Sequence, residues 1–165
     1  MNSSTKVDFV FLILGLTTKV MGYDCPQGWT DATHAGMGCL LFETSFTITW
    51  GEGMVFCSNE HTSAHLVEIW NAGQQDYLFM KVWEIEGMTN TKRDWWIGLT
   101  NDNANHQWKW FDSGRSASYT HWSSGGPGKG HYAFLYQGDE VTQKAKWLTT
   151  VPSDMKHPIC QFKPT

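Results

Sequence analysis

The sequence predicts an α+β domain, on three observations. Two segments with helical start signals and one-face apolar spacing lie towards its front, at residues 49–57 and 71–87. Five short segments rich in aromatic and β-branched residues, separated by turn residues, fill the chain from residue 95 onward. Four cysteines, an even number, accompany them. Helices first and strands afterwards is the order of an α+β fold, and 165 residues are about what one core needs. A single domain is therefore expected.

Residues 1–22 read as a secretory signal peptide: Lys6 precedes the apolar run Phe9 to Leu16, and Val20-Met21-Gly22 offers small residues at a cleavage spacing. The run is far short of the roughly 20 residues that cross a bilayer, and no second run follows, so no membrane span is expected. The mature chain, 23–165, is then secreted and extracellular. Cys25 to Phe42 consists of short apolar runs broken by Gly, a strand pair that a Cys25–Cys39 bond could staple. Thr49-Trp50-Gly51-Glu52 has capping-box spacing ahead of Val55, Phe56 and Cys57, and predicts a first helix weakened by Gly51 and Gly53. The run AHLVEI, residues 64–69, alternates like a strand. A second helix is predicted from an Asn71 cap, with Leu78, Val82 and Ile85 on one face and Gly87 as its stop. The later strands are WWIGL (95–99), HQWKWF (106–111), HYAFLY (131–136), AKWLTT (145–150) and PICQF (158–162). Half of the ten tryptophans lie in these segments, where core packing is the expectation.

Removing Lys6, Lys19 and Asp8 from twelve basic and sixteen acidic residues leaves ten and fifteen, a mature net charge of −5. Nucleic acid is excluded as a partner class, because phosphate binding draws on clustered Lys and Arg that are missing here. Cys25, Cys39, Cys57 and Cys160 all fall in the mature part and predict two disulfides, with three pairings open. No CxxC pair suggests a thiolate zinc site. No Asn-x-Ser/Thr acceptor occurs beyond the signal peptide.

Together these pieces resemble a C-type lectin-like domain over nearly all of the mature chain. The resemblance is carried by CPQGW at Cys25 to Trp29, Cys57, AHLVEI, the second helix, WIGL at Trp96 to Leu99, the run Trp108 to Gly114, YTHW at Tyr119 to Trp122, Trp147 and the closing ICQF; their order and spacing are what is specific. It implies two helices with short antiparallel sheets and a long irregular loop. It also implies disulfides Cys25–Cys39 and Cys57–Cys160. In that family the long loop and a neighbouring strand bind calcium, which binds sugar hydroxyls. The family's Glu-Pro-Asn type triplet falls here on Gly126-Pro127-Gly128, its later acid near Gly130 or His131, and its Trp-Asn-Asp on Trp147-Leu148-Thr149. Calcium needs about six to eight oxygens, which glycine, leucine and threonine side chains do not supply. The usual calcium site is expected to be absent, and no cofactor or metal is expected. A further disulfide usual in the family would fall on Tyr132 and Pro152, so the long loop is expected to be looser than in relatives that carry it.

The stretch HWSSGGPGKGH, 121–131, stands where that family holds its metal. It does not match a phosphate loop, since Ser123 and Gly130 stand where that pattern needs Gly and Ser or Thr. His121 and His131 lack a nearby carboxylate for a metal site, and no acid is placed to orient His121 beside Ser123 and Ser124. No enzyme activity is read. The remaining binding candidates are Lys129, His131, Tyr132, Thr149 and Thr150, as hydrogen-bond donors and one ring, set against a plain spacer. Asn101, Asp102 and Asn103 read as a capped turn rather than a second calcium cluster. The function the resemblance implies is a glycan-binding module without the usual calcium ligands. A module for an extracellular protein or matrix partner on the same fold is the alternative.

Overall fold

The computed structural model describes residues 25–89, 91–101, 106–136 and 145–164. The expected signal peptide, Asp102 and Asn103 lie outside the described residues. Eight strands among the described residues make one sheet. Its order is β1 (Thr30–Ala32), β2 (Gly38–Phe42), β8 (His157–Phe162), β4 (Trp95–Thr100), β6 (Tyr132–Tyr136) and β7 (Lys146–Thr150). Two short strands sit off this path: β3 (His65–Leu66) pairs with β8, and β5 (Lys109–Trp110) with β4. All pairs are antiparallel except β4 with β8. That parallel pair departs from the all-antiparallel expectation because the last strand enters between β2 and β4, antiparallel to β2.

Helix α1 (Trp50–Glu60) starts on a complete capping box. The Glu52 amide donates to Thr49 Oγ1 and the Thr49 amide to Glu52 Oε2, at 3.4 and 2.9 Å. Gly53, which weakens the helix locally, has a packing reason: a Cβ there would lie 3.4 Å from Leu66 and 3.6 Å from Pro158. Its absence brings α1 close to β3 and β8, where Cys57 bonds Cys160 across 103 residues. The second disulfide, Cys25–Cys39, closes the first hairpin.

Helix α2 (Ala72–Thr89) is capped by Asn71, whose Oδ1 accepts the Gln74 amide at 3.0 Å. It runs past Gly87, against the expected stop. Gly87 does not adopt the left-handed conformation that terminates helices, and elsewhere a helical glycine costs only about 1 kcal/mol. Two other expectations were too long. Of AHLVEI only His65 and Leu66 are strand, and of HQWKWF only Lys109 and Trp110, because each has a partner edge for just two residues.

Successive residues of β4 feed opposite faces of the sheet. Trp95 packs with Leu78, Val82 and Trp147 on one side, and Trp96 with Trp50, Cys57 and Phe134 on the other. Trp95, Trp96, Trp110 and Trp147 are fully buried, which bears out core packing for these rings, whereas Trp83 on α2 is half exposed.

Candidate functional site

The segment between β5 and β6, residues 111–131, is the long irregular loop. Its base is a ring cluster around Trp147 of β7. Trp110, Trp122 and Tyr119 stand at 5.8, 5.5 and 5.8 Å between centroids, and Trp108 packs at a tilt against Trp122 at 4.8 Å. The Trp147 indole donates to Gln75 Oε1 on α2 at 2.8 Å, so the cluster is anchored to a helix as well as to the sheet. Burial raises the Tyr119 phenol above its ordinary pKa, and the negative charge of Asp76 pushes the same way.

Backbone bonds carry the loop onward. The Trp147 amide donates to His121 O at 2.9 Å and the Ser123 amide to Trp147 O at 3.0 Å. Further along, the Thr149 hydroxyl donates to Pro127 O and accepts the Gly130 amide at 3.2 Å. The His131 amide donates to Thr150 O at 3.1 Å. Gly130 lies so close to β7 that a Cβ would fall 2.3 Å from Thr150 N. The loop thus has no disulfide but is bonded along β7.

The structure brings Lys129, His131, Thr149 and Thr150 together where loop and strand meet, with Tyr132 paired to Thr150 across β6 and β7 but turned to the face away from Thr149. Tyr132 is half-buried with its ring 4.8 Å from that of Trp50, on the sheet face that carries Trp96 and Phe134. Pro152, which shares the missing disulfide position with it, is exposed. Thr149 is engaged as described, Thr150 donates to the Asp154 carboxylate, and His131 Nδ1 lies 2.6 Å from Asn101 Oδ1. Lys129 is exposed. Asp139 and Glu140, beyond β6, lie outside the described residues.

A second constellation was not legible in the sequence. His65, Glu68 and Asp112 present one nitrogen and two carboxylate oxygens, all within 4.8 Å of one another. The His65 Nε2 to Asp112 Oδ2 distance is 3.9 Å. Beside them a pocket of about 200 Å³ is lined by Trp50, Met54, Ala64, Leu66, Gly98 and Phe111. Alternation along an unbroken AHLVEI strand would have put residues 65 and 68 on opposite faces. The strand ends at Leu66, and the chain beyond it carries Glu68 round to the His65 side.

The family model described as "Lectin C-type domain" matches residues 47–162, more than half of the chain. The chain belongs to the C-type lectin domain family. Snaclec crotocetin-1 of Crotalus durissus terrificus is 27% identical over 162 residues, covering 96% of this chain and 95% of the relative. A snaclec coagulation factor IX-binding protein of Protobothrops flavoviridis is 34% identical over 102 residues, 60% of this chain and 73% of the relative. Human lithostathine is similar in fold, with a TM-score of 0.71 and 24% identity over 87% of this chain and 94% of that one. In this C-type lectin domain the two disulfides are those the resemblance implied.

Proposed function

We propose that this C-type lectin domain is a secreted recognition module that binds an extracellular protein by direct contacts from its long-loop face, without calcium. The observation that carries the reading is how the polar groups of that face are used. Where calcium-binding relatives place carboxylates and amides, this chain has Gly126, Gly128 and Leu148, and the Thr149 hydroxyl is spent on holding the loop to β7. Sugar recognition draws on several hydroxyl-directed hydrogen bonds, and the Thr150 and His131 groups are also engaged internally. Just beyond Thr150, Val151 is 51% exposed, an apolar group suited to a protein partner. The factor IX-binding relative, whose name gives a protein partner, supports the same reading. Family membership alone favours a glycan as the second reading.

The test is binding of the oxidised chain to arrays of glycans and of extracellular matrix proteins, each with millimolar calcium, with a chelator, and with calcium restored. The expected result is protein binding that is equal in all three conditions and weakened by Val151→Glu. Glycan binding that the chelator abolishes and calcium restores would overturn the reading.

A further inference from the structure

We propose that His65, Glu68 and Asp112 bind a zinc-class divalent cation at the mouth of the apolar pocket beside Trp50. These residues lie on β3, the segment after it, and the turn that opens the long loop after β5, and none of them is among the groups on which the long-loop reading rests. His65 Nδ1 lies 2.9 Å from Leu66 O, which as a carbonyl only accepts. That bond places the ring proton on Nδ1 and leaves a lone pair on Nε2, the arrangement found when a backbone carbonyl orients a metal-binding histidine. In that neutral tautomer the lone pair faces Asp112 Oδ2 at 3.9 Å, so two acceptors are turned towards each other.

Glu68 makes the same demand from the inside. It is only 5% exposed, and among the described residues its carboxylate has one hydrogen bond, from the Ser113 amide at 3.1 Å, and no ion pair. A carboxylate out of water without a counter-charge is costly, and a cation removes that cost. In a tetrahedral zinc site, bonds to nitrogen and carboxylate oxygen of about 2.0–2.2 Å set ligand atoms about 3.3–3.6 Å apart. The His65–Asp112 separation of 3.9 Å is a few tenths of an ångström wider, and the Asp112 side chain, 60% exposed, can close that gap by a small swing towards the others. One imidazole with two carboxylates suits zinc, whereas calcium and magnesium favour shells of oxygen. With three protein ligands the fourth position is left for water or for a donor on a ligand seated in the pocket, which both His65 and Asp112 line.

Calorimetric titration of the oxidised chain with Zn²⁺ tests this, with Co²⁺ absorption as a spectroscopic report of nitrogen ligation. One equivalent is expected to bind. His65→Gln and Asp112→Asn should each weaken it at least tenfold while the metal-free Tm of Asp112→Asn stays unchanged, and His34→Gln, at an exposed histidine elsewhere, should leave it unaltered. No binding of Zn²⁺, binding untouched by both site variants, or displacement by equimolar Ca²⁺ would each overturn the proposal.

Discussion

The two ends of the sheet are held by different means. On the side of β1, β2 and β8, disulfides tie the first hairpin and join α1 to the last strand. On the side of β4, β6 and β7, among the described residues, no disulfide ties the long loop, which is held by rings around Trp147 and by backbone bonds to β7. A disulfide acts largely by restricting the unfolded chain, whereas ring burial and hydrogen bonds exist only in the native state. The stapled end should therefore depend on redox conditions, and the loop end on packing at a few positions. The expected looseness of the loop is offset by these bonds.

The largest effect belongs to the stapled end. Replacing Cys57 and Cys160 by Ala should cost about 4–5 kcal/mol, since the bond closes a loop of 103 residues, and urea denaturation would read it. A loss below that of the Trp147 variant would reverse the comparison. Trp147→Ala should follow, at about 3–5 kcal/mol for a fully buried indole. It should also speed amide exchange at Ser123, which donates to Trp147, while the β2 amides stay protected.

Smaller changes sharpen the picture at the loop alone. Gly130→Ala should cost about 1–3 kcal/mol through the contact with the Thr150 backbone, without altering the disulfides, as denaturation and thiol titration would show. Thr149→Val removes a hydroxyl that bridges Pro127 and Gly130, and about 1 kcal/mol with it.

The smallest effect is a pH dependence at the start of β8. Burial, and then the positive charge of Arg93, lower the His157 pKa below the ordinary value of about 6.5. Above that value the imidazole is neutral in both states. Between it and the lowered native value only the unfolded chain takes the proton, so stability falls as pH falls through this window. Tm measured from pH 7 to 5 should decline less in His157→Gln than in the parent chain. Glu86, whose carboxyl burial raises, contributes in the opposite sense: its share of stability is lost as pH rises through its native value.

Much of the architecture was legible because it is written in neighbouring residues. The Thr49–Glu52 box, the Asn71 cap and the aromatic strand segments are local signals with fixed spacing, and each appears where its signal stands. Residue types also speak to calcium chemistry, since Gly126, Gly128 and Leu148 carry no side-chain oxygen wherever the fold puts them. Strand length was less legible: β3 and β5 are as short as their partners allow, and pairing edges come from distant residues. The availability of Thr149, Thr150 and His131 was decided only when the loop was laid on β7, because their bonding partners lie up to 30 residues away. His65 and Asp112 are far apart in the chain, and no periodicity links them. By itself the sequence determined which helices and strands could form and which chemistry the side chains could offer. Tertiary structure decided which of those groups remain available and which become neighbours, since that depends on contacts between remote segments that local spacing does not encode.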